Sequence, residues 1–184
     1  MSLKDSIWWT RKARIQSEKR LLSNDFHAQL LLLWYSFIGV SVSIFSLVYP
    51  IGNNINAVWV AFSVLIFCVA GFINGLSFKE RAGLIKDCYI ALKMLHQKHT
   101  PENEKEISRE YEKVIELCEN HTDRDYYWAV CEAYWSRDDN GQLTKKPNCY
   151  MRLVVFAYFI RKYFFLFVLY IAIPLIPAMF FIYV

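Results

Sequence analysis

Residues without charge are concentrated in two long blocks of the chain. Between Asp25 and Lys79 no residue is Asp, Glu, Lys or Arg, and a second such block runs from Tyr163 to Val184. A soluble domain rarely contains such stretches, because charged residues occupy much of its surface. The pattern therefore predicts helices that cross a membrane.

The first block divides into two apolar runs, residues 30–49 and 57–78, which are joined by the segment "PIGNNIN". As a helix, each run is about 30 Å long, which matches the hydrocarbon thickness of a bilayer. Pro, Gly and Asn favour a tight connection between the two helices. We therefore predict a transmembrane hairpin over residues 26–78.

Residues 79–150 carry most of the acidic residues and predict a cytosolic helical domain. The second span is expected to continue as one helix up to Thr100-Pro101, where a second helix starts and packs antiparallel against it. A third helix is expected from Asp123. The apolar faces of the first two helices are Leu84, Ile85, Cys88, Tyr89, Leu92 and Leu95, and Ile107, Tyr111, Val114, Ile115 and Cys118.

The C-terminal segment, residues 151–184, predicts a third membrane segment. Pro174 and Pro177 lie within its uncharged part, where proline kinks a helix and frees carbonyl groups. A straight span and a kinked, re-entrant or interfacial segment both remain open. The fold class expected is an all-α membrane protein, in which a transmembrane helical hairpin continues into a cytosolic antiparallel helical domain and a third membrane segment follows.

Residues 1–25 predict a basic amphipathic helix that lies along the inner membrane interface. Tryptophan favours the interface and basic side chains favour anionic headgroups. The alternative is a helix that packs on the cytosolic domain. The membrane-interface candidates are Trp8, Trp9, Arg11, Lys12, Arg14, Lys19 and Arg20.

Basic residues flank the predicted hairpin on one side only. Six lie between Lys4 and Arg20, and Lys79, Arg81 and Lys86 follow the second span, whereas the connecting loop has none. The positive-inside rule then places the N-terminus and residues 79–150 in the cytoplasm.

Small residues recur along both predicted spans and are candidates for helix packing or for lining a pore. They are Ser36, Gly39, Ser43 and Ser46 in the first span and Ala61, Gly71 and Gly75 in the second. Such stripes allow helices to approach closely. They either close the hairpin on itself or form contacts between subunits, which include a narrow pore.

Motifs for chemistry are missing from the sequence. It has no phosphate-binding loop, no H-E-x-x-H and no G-x-S-x-G element, so we expect no enzyme, no catalytic residue and no cofactor. The pairs His96/His99 and Cys118/His121 are predicted to lie far apart, which argues against a zinc site. A net charge of only +4 argues against direct nucleic-acid binding.

A family resemblance is carried by "WWTRKARIQSEKRLLSNDFHAQLLLLWYSF", "FKERAGLIKDCYIALKML" and "EYEKVIELCENHTDRDY". These segments resemble the SLATT family, the SMODS- and SLOG-associating two-transmembrane-helix effector domain. The resemblance covers residues 7 to about 135 and includes "ENH" and "DY" elements, here Glu119-Asn120-His121 and Asp125-Tyr126. The C-terminal apolar block departs from the two-span pattern.

The resemblance implies a multi-pass effector in the bacterial inner membrane that acts in antiphage defence. Such proteins are expected to form homo-oligomers in the lipid bilayer and to open pores or otherwise disrupt the membrane when a partner senses infection. The partners implied are nucleotide second-messenger synthases or reverse transcriptases. The alternative function is a non-conducting membrane anchor or scaffold for a cytosolic partner.

Overall fold

The computed structural model describes residues 2–48, 53–136 and 143–175, and all regular secondary structure within them is helical. The predicted all-α class is therefore confirmed. The helices are α1 (Leu3–Val48), α2 (Asn53–Gly75), α3 (Phe78–Lys98), α4 (Glu104–Glu116), α5 (Asp123–Trp135) and α6 (Cys149–Phe167). A 3-10 turn at Pro101–Asn103 precedes α4, and a π-helical turn at Val168–Ala172 continues α6.

The chain forms two compact units that differ sharply in charge. Unit 1 comprises residues 1–23 and 78–160, and unit 2 comprises residues 24–77 and 161–184. In unit 2 the residues with a formal charge are Asp25, Arg161 and Lys162, so nearly all the charge of the chain belongs to unit 1.

Helix α1 contributes residues to both units. It runs without interruption from Leu3 to Val48, across the boundary at residue 25 that the sequence suggested between an interfacial helix and a span. Gly39 is the single Gly or Pro within these bounds, so the helix contains no strong breaker near residue 25.

One expected helix is broken in two. The sequence predicted that the second span runs without a break to Thr100-Pro101, but α2 ends at Gly75 and α3 begins at Phe78. Ser77 between them adopts a φ of 46°, in the left-handed region that terminates helices. The prediction missed this boundary because Gly75 was interpreted only as a small packing residue.

The core of unit 1 forms around the first 21 residues of α1. Ile7 packs with Cys88, Leu92 and Leu95 of α3 and with Ile107 of α4, in a cluster that Tyr111 and Val114 complete. Leu21 packs with Ala82 and Ile85 in a second cluster. Leu84, which was assigned to the apolar face of α3, is 57% exposed instead, because the buried positions Ala82, Ile85, Cys88 and Leu92 follow a different face.

In unit 2 the Tyr35 side chain supplies a hydrogen bond that Pro174 cannot donate. In the π-helical turn the amide of Ile173 donates to the carbonyl of Val168, five residues earlier. The next carbonyl in this register, that of Leu169, faces Pro174, which has no N–H. The Tyr35 hydroxyl donates to Leu169 O at 2.7 Å and satisfies it. Pro177 lies outside the described residues.

Three helical stretches are long and apolar enough to cross a membrane. They are Leu3–Val48, Ala57–Lys98 and Cys149–Leu175, and their most apolar windows are almost entirely unburied. Exposed apolar side chains of this kind are expected where lipid or a neighbouring protein covers a helix.

Candidate functional site

The seven membrane-interface candidates differ in burial. Trp9 and Arg14 are buried, at 2% and 1% exposure, and Arg20 is largely buried. Other residues of unit 1 cover the side chains of these three. Trp8, Arg11 and Lys12 are half-buried and Lys19 is exposed. For these four residues the interfacial hypothesis stays a prediction.

Trp9 is anchored by both its ring and its N–H group. Its ring packs with Val130, Ala133 and Leu143, and its Nε1 donates to Thr144 Oγ1 at 2.9 Å. A buried tryptophan with a satisfied N–H contributes a large apolar surface at no polar cost. Trp9 therefore fixes α1 against α5 and against the segment that precedes α6.

Arg14 binds the C-terminal end of α4. Its Nη2 donates to Ile115 O at 3.0 Å, and its Nη1 donates to Glu119 O at 3.1 Å and to Cys118 Sγ. The last carbonyls of a helix have no partners within the helix and carry partial negative charge, which favours a cation there. The buried guanidinium thus caps α4 from a position on α1.

Arg20 forms a bidentate ion pair with Asp125 of α5. Its Nε and Nη2 donate to the two carboxylate oxygens at 2.9 and 3.0 Å, and Nη2 also donates to Ser17 Oγ. The side chains are 17% and 4% exposed. Two parallel charge-assisted hydrogen bonds with little water access make this the strongest ionic contact described in unit 1.

Asp125 joins this ion pair to the start of α5. Its Oδ2 accepts from the backbone N and the hydroxyl of Thr122, while Thr122 Oγ1 accepts from the Asp125 amide, which is a capping box. Burial alone raises the pKa of Asp125, but hydrogen bonds from Arg20 and Thr122 outweigh it and hold the pKa below its usual value. The carboxylate therefore stays ionised at neutral pH.

His121 lies in the chain between Glu119, whose carbonyl Arg14 binds, and Asp125, which pairs with Arg20. Burial and the nearby Arg14 lower the pKa of His121, although Asp125 and Asp123 oppose the shift. The ring is therefore neutral at neutral pH, and no second positive charge is buried beside Arg14. Its Nδ1 is buried without a hydrogen-bond partner among the described residues. We call Arg14, Ser17, Arg20, His121 and Asp125 the polar cluster.

The "ENH" and "DY" elements lie at the polar cluster and beside it. Glu119 pairs with Arg81 at 2.5 Å, and the adjoining His121 and Asp125 belong to the cluster. Tyr126 lies edge-on to Trp9 and accepts from Lys145 Nζ at 2.6 Å. The two elements therefore hold the connection between α4 and α5 on α1.

Sequence reasoning missed the internal partners of Arg14 and Arg20. Both were grouped with the surface charges because they lie in a run of basic residues. The available signal was helical spacing: Arg14, Ser17 and Leu21 lie on one face of α1, and all three are buried. A serine and an arginine in register with leucine indicate a polar position within a core.

The glycines of the small-residue stripes have open space beside them. Around Gly39, Gly71 and Gly75, no atom of the described residues lies within 4 Å of the place where a Cβ would project, apart from the backbone of the same helix and the adjoining residues. Ala61 is exposed. Within the chain, these three glycines therefore do not mark a close approach of helices, and their use between subunits stays a prediction.

Two stripe serines are satisfied within α1. Ser43 Oγ donates to Gly39 O at 2.8 Å, and Ser46 Oγ donates to Ser43 O at 2.9 Å. Serine commonly bonds back to its own helix in this way. Ser43 and Ser36 are exposed and Ser46 is half-buried. The hydroxyls of Ser43 and Ser46 are thus satisfied by bonds within their own helix.

An apolar groove lies between α5 and α6 in unit 1. It has a volume of about 500 Å³, and its lining includes Trp128, Trp135, Arg152, Leu153 and Phe156. Trp135 and Phe156 are 59% and 63% exposed. Tryptophan, phenylalanine and arginine are enriched where proteins bind one another.

The described residues hold neither a metal-binding cluster nor a disulfide. Within residues 2–48, 53–136 and 143–175, no group of three or more His, Cys, Asp or Glu side chains is arranged to hold a metal ion. Cys68, Cys88, Cys118, Cys131 and Cys149 are all free thiols.

Comparison with known proteins identifies one family. A family model described as the SMODS and SLOG-associating 2TM effector domain family 5 matches residues 1–183, which is essentially the whole chain. The C-terminal apolar block, which departed from the two-span pattern, therefore lies within the match. No curated protein and no solved structure matches the chain.

Proposed function

Because the chain belongs to the SMODS and SLOG-associating 2TM effector domain family 5, a family of membrane effectors in defence systems, we propose that it is the oligomeric effector of a bacterial antiphage system. In this proposal it forms a pore, or otherwise disrupts the inner membrane, when a partner triggers it. It acts without catalysing a reaction.

The exposed apolar surface of unit 2 is the observation that carries the proposal. Leu47 and Phe67 are 84% and 79% exposed, and they belong to the first two candidate spans. A single chain leaves these side chains uncovered, so lipid or further subunits must cover them. Gly39, Gly71 and Gly75 supply open, small-residue positions on the same spans, which suit close contact between helices of different subunits.

The membrane orientation proposed is multi-pass with a cytoplasmic N-terminus. Unit 1 carries the basic residues that flank the first two spans, and the segment between α1 and α2 has none, which supports a cytoplasmic unit 1. A trigger that binds unit 1 then acts on α1, the helix that also supplies the first span. The partners proposed are a nucleotide second-messenger synthase or a reverse transcriptase of the same system.

Cysteine labelling checks the orientation. In a variant whose native cysteines are replaced by Ser, a cysteine introduced at Asn54 is expected to react with an impermeant maleimide in intact spheroplasts. A matched variant that retains only Cys149 is expected to react only after the membrane is permeabilised. The opposite pattern would show that the protein is inserted the other way round.

Membrane potential tests the effector function directly. Cells that carry the complete defence system are loaded with a potential-sensitive dye and challenged with a phage that the system restricts. The potential is expected to collapse during infection, and to remain intact when this chain is deleted. Restriction of the phage with a sustained potential in every cell would contradict membrane disruption.

A second candidate function is a non-conducting membrane anchor for a partner protein. The apolar groove of unit 1 favours it, because the exposed aromatic side chains beside Arg152 suit a protein interface. The same dye experiment separates the two functions, since an anchor protects the cell without depolarising it.

A further inference from the structure

Two cysteines that are distant in sequence meet beside the polar cluster. Cys88 is buried in α3 and Cys118 follows the last turn of α4. Cys118 packs against the buried cluster that contains Cys88, and Cys88 Sγ donates to the carbonyl of Val114, four residues before Cys118. The remaining cysteines provide comparison sites, since Cys131 is buried elsewhere in unit 1 and Cys149 is exposed.

The two thiols have different surroundings. Cys118 is partly exposed, and the guanidinium of Arg14 donates a hydrogen bond to its sulfur. Cys88 is 1% exposed and donates to Val114 O at 3.2 Å. Burial raises the pKa of Cys88 to about 12. Oxidant-sensitive proteins pair an accessible cysteine beside a cation with a second thiol that resolves the first product.

We propose that Cys118 and Cys88 form an oxidisable dithiol, in which Cys118 reacts first with a hydroperoxide and Cys88 then closes a disulfide. This assignment concerns unit 1 and does not depend on the effector function. In this assignment the protein responds to a hydroperoxide, which is either hydrogen peroxide or an organic hydroperoxide.

The reaction balances in two steps. The Cys118 thiolate attacks one peroxide oxygen, so that an S–O bond forms and the O–O bond breaks, and the hydroxide released takes up a proton to become water. Cys88 then attacks the Cys118 sulfenic acid, forming the S–S bond and breaking the S–O bond, and its proton leaves with the displaced hydroxide as a second water. Two thiols are oxidised and one hydrogen peroxide is reduced to two waters.

The disulfide would cross-link α3 to the residues that follow α4. It closes a loop of about 30 residues, from Cys88 to Cys118, which restricts the unfolded chain. The bridged sulfur is also an acceptor for Arg14, whose other donors hold Ile115 and Glu119. Oxidation therefore fastens the connection between α4 and α5 at the place where α1 binds it.

Peptide mapping of the full-length protein in detergent tests the assignment. The reduced protein is treated with hydrogen peroxide, its remaining thiols are alkylated, and a digest is analysed by mass spectrometry without reduction. The expected result is an intramolecular Cys88–Cys118 cross-linked peptide pair, with Cys131 and Cys149 still alkylated. In the Cys118→Ser variant this pair is lost and Cys88 is expected to stay reduced.

The Cys88→Ser variant identifies which thiol reacts first. Its Cys118 sulfenic acid has no resolving partner and is expected to be trapped by dimedone, while Cys149 in the same molecules is not. The proposal is overturned if the wild-type protein forms only intermolecular disulfides through Cys149. It is overturned equally if Cys118 remains alkylated while Cys149 is oxidised.

Discussion

Replacing Arg20 by Ala is expected to lower the free energy of unfolding by about 3–5 kcal/mol, because it leaves the buried carboxylate of Asp125 without its cation. Asp125 is 3% exposed and also caps α5 through Thr122, so its unpaired charge cannot be solvated without opening the start of α5. Urea denaturation of the full-length protein in detergent, followed by tryptophan fluorescence, to which buried Trp9 contributes, measures the change.

Lys19→Ala is the matched control for the Arg20 substitution. Lys19 precedes Arg20 on α1, and its Nζ lies 2.9 Å from Glu132 of α5, the same distance as Nε of Arg20 from Asp125. The Lys19 and Glu132 side chains are 56% and 39% exposed, so we expect a loss of only about 0–1 kcal/mol. Equal losses of unfolding free energy in the two variants would mean that burial does not decide how much each ion pair contributes to stability.

Replacing Gly71 or Gly75 by Leu is expected to weaken self-association at least about tenfold, which corresponds to about 1.4 kcal/mol, and to abolish depolarisation. A leucine side chain holds two helices apart where a glycine lets them touch. Among the described residues, nothing beyond the glycine's own helix lies within 4 Å of a Cβ added at either position, so the substitution begins in open space. Cross-linking in native membranes and the dye assay measure the two effects.

Gly83→Leu provides the control for the stripe. Gly83 lies in α3 within unit 1, and a Cβ there also meets no atom within 4 Å. The substitution makes the same chemical change outside the apolar run 57–78, so assembly and activity are expected to remain at the parent level. If the Gly71 and Gly75 variants also assemble and depolarise like the parent, the stripe is not a subunit contact. A variant that loses its native fluorescence would mean that the glycine serves the fold of its own chain.

The charge pattern of the sequence predicted the helical class and the positions of the apolar segments. A long run without charge cannot form a helix exposed to water, because a helix that is apolar all round must be covered by lipid or protein. Local signals marked two helix boundaries. Helix α5 starts at Asp123, as predicted, and Thr122 caps it. Pro101 stands in the first turn of the 3-10 segment that precedes α4. These features depend on neighbours within a few residues.

Tertiary packing determined which basic residues belong to the core and which thiols meet. The five basic residues from Arg11 to Arg20 look alike in the sequence. In the fold, α1 directs Arg14 towards the end of α4 and Arg20 towards Asp125, more than 100 residues along the chain. Cys88 and Cys118 come together because α3 and α4 pack through Leu92, Ile107 and Val114. An arginine is buried only where distant carbonyls and carboxylates supply its hydrogen bonds, so composition and spacing within α1 predicted its charge, and the fold alone supplied its partners.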